Sequence, residues 1–157
     1  MNNVAKHLLV VSCYMLVAYS LFAKIPDLKA TTGRIFDGDT FAAVVHLEGG
    51  ASVRANIRFI DIDAPELSGE CESEIEWAYK SKARLEELLP EGTKVTLSGI
   101  KDDKYLGRIN AYVRLPDGRD VSQIMLAENM AVAYTGGKRS TWCTDEEIEQ
   151  WKQRNKQ

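Results

Sequence analysis

Downstream of its first thirty residues the chain alternates between apolar and polar positions in short runs. Residues 31–36 and 40–47 are rich in β-branched and aromatic side chains, which suit strands. They flank Asp37-Gly38, a tight-turn pair. Glu48-Gly49-Gly50 makes a second turn. Residues 52–62 form a third strand, with Val53, Ala55, Ile57 and Phe59 alternating against Arg54, Asn56 and Arg58 at the two-residue period of a half-buried sheet; Ala64-Pro65 ends it. The period then lengthens. Over 74–89, Ile75, Ala78, Tyr79, Leu85, Leu88 and Leu89 fall on one stripe of a helix, stopped by Pro90-Glu91-Gly92. Residues 95–100 and 109–115 give two more strands, 121–128 a short helix and 131–134 a last extended piece. The tail, 144–157, reads as a helix with a Thr144/Glu147 capping box, acids leading and bases trailing, and Ile148 and Trp151 facing inward. Five strands with a helix after the third predict a small closed or nearly closed β-barrel with helices. No repeat or second domain is visible.

The start of the chain follows a different pattern. Lys6 and His7 precede an uncharged, almost wholly apolar run at 8–22. A short basic segment followed by about fifteen apolar residues is the layout of a secretory signal peptide, and it is short for a membrane span. The expected domains are therefore a leader at 1–23 and a single domain at 24–157. Cleavage fits best after Ala23, although Leu21 suits the small-residue rule poorly; Ala30 is the second site. An uncleaved anchor is the alternative, and it is the one route to a membrane. A lipoprotein box at Val11-Ser12-Cys13 fits less well, because the apolar run continues past Cys13. The expected destination is export, to a periplasm or the medium.

Composition narrows the function. The net charge of the 157 residues is −3, against the basic balance of a chain that only coats nucleic acid. Two histidines, His7 and His46, make His-rich zinc sites and Ser-His-Asp hydrolysis poor fits. His46 is expected at the surface or satisfied within the sheet, and Trp77 and Trp142 are expected to pack rather than to stack on bases. In an oxidising compartment Cys71 and Cys143 most simply pair, closing a loop that stabilises the fold by roughly 4 kcal/mol. Two unrelated thiols are the alternative, and a two-cysteine zinc site lacks its other ligands.

Three stretches carry the chemistry: Asp37-Gly38-Asp39-Thr40, Arg58 through Asp61, Asp63, Ala64-Pro65 and Glu66, and Asp103-Lys104-Tyr105-Leu106-Gly107-Arg108. Singly they read as a hairpin turn, a solvated strand end and an exposed loop. Strand alternation would put Asp61 and Asp63 on one side. Together, aspartates from separate elements offer hard oxygen ligands for Ca²⁺ or Mg²⁺, arginine pairs match phosphate oxygens, and a third carboxylate can position water. These are the parts needed to bear negative charge developing at phosphorus.

At these residues the chain resembles the staphylococcal-nuclease-like (thermonuclease) family. The likeness runs from about Thr31 to Tyr134, through Asp-Gly-Asp-Thr at 37–40, Arg58, Asp63-Ala64-Pro65-Glu66, Tyr105 with Gly107-Arg108, and Ala131 to Tyr134. It implies an OB-type five-stranded barrel with helices, and Ca²⁺-dependent cleavage of DNA and RNA to 5′-hydroxyl and 3′-phosphate ends; oxygen ligands alone would also accept Mg²⁺. It further implies Asp39, Asp63 and the Ala64 carbonyl as metal ligands, and Arg58, Glu66 and Arg108 as catalytic residues. Lys104, Tyr105 and Tyr134 would line the nucleotide pocket. Leu106 is an insertion relative to the family pattern, so Lys104 and Tyr105 are expected to shift from the phosphate. A Cys71–Cys143 bridge would brace the Glu66 segment against the C-terminal region.

Retention of these five charged residues favours an enzyme over an inactive OB-type module binding nucleic acid or protein in the cell envelope. A structural accessory protein of the envelope is a third reading. The acidic balance predicts weak steering toward long duplexes and a preference for single-stranded substrate, with the protein acting as a monomer.

Overall fold

The structure, a computed structural model, describes residues 26–137, 139 and 141–154. The expected leader, Lys138 of the Gly-Gly-Lys-Arg loop and positions 155–157 of the tail lie outside the described residues. Five strands close a barrel in the order β1-β2-β3-β6-β5. They are β1 (Leu28–Ile35), β2 (Thr40–His46), β3 (Ser52–Phe59), β5 (Lys94–Asp102) and β6 (Arg108–Arg114). Two short strands, β4 (Ile62–Asp63) and β7 (Val132–Ala133), pair separately. The helices are α1 (Glu72–Leu88), α2 (Val121–Ala127) and α3 (Asp145–Arg154). No helix of the described residues is long and apolar enough to cross a membrane.

Alternation fills the barrel. Phe41, Ile57, Phe59, Leu97 and Val113 point inward and are almost fully buried, and the Phe41 and Phe59 rings meet at 5.7 Å. Leu85 and Leu89, from α1 and its end, and Met125, from α2, close one side of the same core. The stripe expected on α1 is narrower than its periodicity suggests: Tyr79 is 62% exposed. The Thr144/Glu147 capping box is present. Beyond it, Ile148 and Trp151 are half-buried rather than packed into a core. Ser73 and Glu72 of α1 hold α3 through Glu147 at 2.6 Å and Arg154 at 3.2 Å. His46 is satisfied as expected, between Thr31 at 2.8 Å and Ser52 at 3.1 Å. Trp77 hydrogen-bonds the Asn129 carbonyl at 2.9 Å, across the α1–α2 contact.

The third strand differs from its sequence pattern in one respect that matters for the site. It does not run to Ile62: β3 ends at Phe59, and Asp61 takes a positive φ of 65°. This turn re-aims Ile62–Asp63 onto β7, and the Asp61 carbonyl accepts the Tyr134 N–H at 2.9 Å. Asp61 and Asp63 therefore do not share a side. Asp61 is exposed and its carboxylate accepts the Tyr112 hydroxyl at 2.6 Å, whereas Asp63 is fully buried.

Candidate functional site

Strand registers gather the charged residues. β3 runs parallel to β6 with Asn56 opposite Arg108 and Arg58 opposite Asn110. Since every second residue shares a face, Arg58, Arg108 and Asn110 lie together on the outer face, while Ile57, Phe59 and Ala111 fill the barrel. Arg58 also pairs with Thr40 on β2, beside the Asp37–Asp39 turn. That turn is tight because the Asp39 N–H bonds the Asp37 carboxylate at 3.0 Å. Gly38 is required there: a Cβ would lie 2.0 Å from the Ser81 hydroxyl oxygen and 2.8 Å from the Ala64 Cβ.

The result is a nest of carboxylates around guanidinium groups. Arg58 Nη1 donates to Asp39 Oδ1 at 2.6 Å and Nη2 to Asp63 Oδ1 at 3.0 Å. Asp39 also accepts the Thr40 hydroxyl at 2.8 Å and the Ala64 N–H at 3.0 Å. Its burial pushes the Asp39 carboxyl up to about 7, with Asp37 adding to the rise and Arg58 opposing it. Arg139, from the loop after β7, reaches the same cluster. It donates to Asp63 Oδ2 at 2.9 Å, to the Ala64 carbonyl at 2.9 Å and to the Glu66 carboxylate. Burial works against the Arg139 charge, but the bonds to Asp63 and Glu66 outweigh it and raise its pKa.

Arg108 stands across the cleft. Its Nη2 donates to Asp103 at 3.1 Å, its plane lies 4.5 Å from the Tyr105 ring centre, and its buried Nε has no partner among the described residues. Asp103 also accepts the Tyr105 N–H and the Asn110 amide, both at 3.0 Å. Burial alone would raise the Asp103 carboxyl, but these bonds, Arg108's first, hold it below the usual range. Arg58, Asp63, Glu66, Arg108, Tyr134 and Arg139 line a cleft of about 500 Å³. Lys104 and Tyr105 line it too. Leu106 sits at the loop tip, where its side chain is wholly exposed, and the Tyr105 ring lies against Arg108. The Tyr134 hydroxyl is held by the Gly137 carbonyl at 2.8 Å. A larger groove of about 580 Å³ crosses β1, β2 and β3 elsewhere on the barrel and contains none of these aspartates.

Cys71 and Cys143 are disulfide-bonded, with Cα atoms 6.0 Å apart. Cys71 also caps α1, accepting the Glu74 N–H. Glu74 is buried beneath the Glu66 loop and accepts the backbone N–H groups of Glu66 at 3.2 Å and Glu70 at 2.9 Å. Cys71, Glu74 and Cys143 bring three potential ligand atoms together, but sulfurs bonded to each other are not thiolates, and this cluster is no metal centre. Asp39, Asp63 and the Ala64 carbonyl are another matter. They offer only oxygen, two of them from carboxylates, which is the donor chemistry of a hard divalent cation.

Arg139, Asp103 and Glu74 are the site residues that pattern reading misses. The signal for Arg139 was its position four residues before Cys143, whose bridge to Cys71 returns that loop to Glu66.

Comparison with known proteins places the chain in a family. A family model described as staphylococcal nuclease homologue matches residues 56–157. An "uncharacterized endonuclease" of Escherichia coli is 32% identical over 108 residues, and its counterpart in Escherichia coli O157:H7 is 31% identical over the same length. The alignment covers 69% of this chain and 62% of each relative, so the chain spans less than two thirds of the curated relatives it matches. Asp39 falls before the family match, yet the fold seats it beside Asp63.

Proposed function

Because the chain belongs to the family of staphylococcal nuclease homologues, we propose that it is a metal-dependent phosphodiester hydrolase cleaving DNA and RNA to 5′-hydroxyl and 3′-phosphate ends, with Ca²⁺ as the working ion. One observation carries the reading. Arg58, Asp63 and Glu66, from one stretch of chain, line one cleft with Arg108, from another, on its opposite wall, and Asp39, from a third, is held behind them by Arg58.

Asp39, Asp63 and the Ala64 carbonyl would hold the cation. Bound there, it supplies positive charge against the phosphate oxygens. The chain's own residues do the rest. A guanidinium has five N–H donors. Arg58 uses two on the aspartates, which leaves three for a phosphate. Arg108 offers the terminal N–H groups that Asp103 does not use to the same phosphate from the other wall, with Tyr105 and Asp103 fixing its plane. Glu66, 41% exposed, accepts a hydrogen bond from water and aims its oxygen at phosphorus opposite the 5′ oxygen. As the new P–O bond forms, the water proton passes to Glu66 and the P–O5′ bond breaks. The departing 5′ oxygen takes up a proton from solvent water, Glu66 gives its proton back to solvent, and the phosphate stays on the 3′ side. The two arginines neutralise the charge gathered on the equatorial oxygens. Lys104, Tyr105 and Tyr134 border the space for the adjoining nucleotide, with Tyr134 able to stack on a base.

The same proposal includes export on the 1–23 leader, action as a monomer and a preference for single-stranded substrate. The test is cleavage by the purified protein with added calcium and with chelator. Calcium-dependent products bearing 3′-phosphate are expected. Cleavage that persists in chelator, or 5′-phosphate products, would contradict it.

A further inference from the structure

We infer that Arg139 competes with the divalent cation for its ligands and thereby sets the protein's metal affinity; this rests on the reading of Asp39, Asp63 and the Ala64 carbonyl as a cation site. Arg139 already engages two of those three ligands. Arg139 Nε lies 2.9 Å from Asp63 Oδ2, and Nη2 lies 2.9 Å from the Ala64 carbonyl oxygen. The remaining terminal nitrogen holds the Glu66 carboxylate. A single planar fork spans these groups, so the oxygens that would hold the cation are the ones the fork occupies.

Charge points the same way. Three carboxylates, Asp39, Asp63 and Glu66, face two guanidinium groups, Arg58 and Arg139. Arg58 sits between the two aspartates and is only 19% exposed, whereas Arg139 comes from a loop and is 41% exposed. Of the two, Arg139 can leave toward solvent without abandoning a buried position. Its loop is tied at both ends, by the Tyr134 N–H on the Asp61 carbonyl and by the disulfide at Cys143, so the displaced side chain stays beside the cleft that it lines. The contact also engages Glu66, the residue proposed to position water. Displacing Arg139 therefore frees a ligand pair and that carboxylate together, and metal entry and readiness of Glu66 become one event.

Calorimetric titration of the chelator-treated protein with CaCl₂ tests this without an activity readout. The wild type, Arg139→Gln, Arg139→Lys and Asp63→Asn proteins are compared, with circular dichroism to establish that each is folded. Arg139→Gln is expected to bind calcium at least tenfold more tightly than wild type. Arg139→Lys, a compact charge without the fork, should fall between them, and Asp63→Asn should lose binding. Equal or weaker binding by Arg139→Gln, with Asp63→Asn still losing it, overturns the competition and leaves the cation site standing. Loss of binding by every protein, or its retention in Asp63→Asn, overturns the cation site and the inference with it. A second measurement needs no variant: the Arg139 side-chain Nε–H resonance of the ¹⁵N-labelled wild type should shift as calcium saturates the protein. A resonance unmoved at saturation overturns the inference.

Discussion

Arg58 and Arg108 face the same cleft but do different structural work, and substitution should separate them. Arg58 neutralises two buried aspartates; removing one partner of a buried ion pair costs about 3–5 kcal/mol. Arg108 rests on the partly buried Asp103 and on Tyr105. We expect Arg58→Ala and Arg108→Ala each to lower kcat/KM by about 10²–10³, the effect of losing one preorganised donor to a developing oxyanion. At pH 8, where Asp39 as well as Asp63 is ionised, the metal-free Arg58→Ala protein should also melt at clearly lower temperature than Arg108→Ala. Equal melting temperatures would mean that Arg58 does not neutralise the aspartates. A pH dependence follows from Asp39. Its carboxyl is raised to about 7 by burial, above the ordinary value of about 3.9 for an exposed aspartate. The folded state therefore holds a proton there that the unfolded state has lost, and the metal-free fold loses stability as pH rises from about 4 to about 7. A cation needs the deprotonated carboxylate, so calcium binding tightens over the upper part of that range. The rise in melting temperature on adding calcium should be larger at pH 8 than at pH 6; an equal rise would mean that Asp39 is already ionised at pH 6.

At the scale of elements, the site depends on the break between β3 and β4. Asp61 holds a left-handed backbone conformation that costs a non-glycine residue about 1–3 kcal/mol, and aspartate and asparagine tolerate it best. Asp61→Asn should be nearly silent, whereas Asp61→Val should destabilise the protein by about 1–3 kcal/mol and weaken calcium binding, because Asp63 depends on that turn for its direction. Thermal melts and calcium titration of the two variants check this. The second brace is the disulfide with Glu74 beneath it, which ties the Glu66 loop to the segment carrying Arg139. Reduction should lower the melting temperature and the activity together; if it changes neither, the brace is not there. Alternation and turn chemistry made the five barrel strands, the α1 segment and the Thr144 cap legible from sequence. The β3–β4 break was not, since 52–62 reads as one strand until a backbone dihedral at Asp61 reverses it. Arg139 was hidden for a related reason: its place depends on a long-range bridge, and nothing local marks its loop as part of the site. Asp103 lies within the Asp103–Arg108 motif, but its role as the anchor of Arg108 depends on the register of β6 against β5.

Across the whole molecule, a charge of −3 sets the terms of substrate capture. Positive charge in the described cleft is concentrated in a few arginines already engaged by carboxylates, so few counterions are released when a phosphate backbone docks. The logarithm of affinity should fall only shallowly with the logarithm of salt, since the slope follows the number of phosphates neutralised. Single-stranded DNA should be favoured over long duplex. Tight duplex binding at moderate salt, measured by fluorescence anisotropy, would contradict this.

We propose that this cleft hydrolyses phosphodiesters with a divalent cation. This is tested most directly by assaying the purified, oxidised protein on single-stranded DNA in calcium and in chelator, beside a Glu66→Gln/Arg108→Ala control verified as folded. Calcium-dependent cleavage that is lost in the control is expected. Absence of cleavage with any divalent metal, or undiminished cleavage by the control, would contradict it.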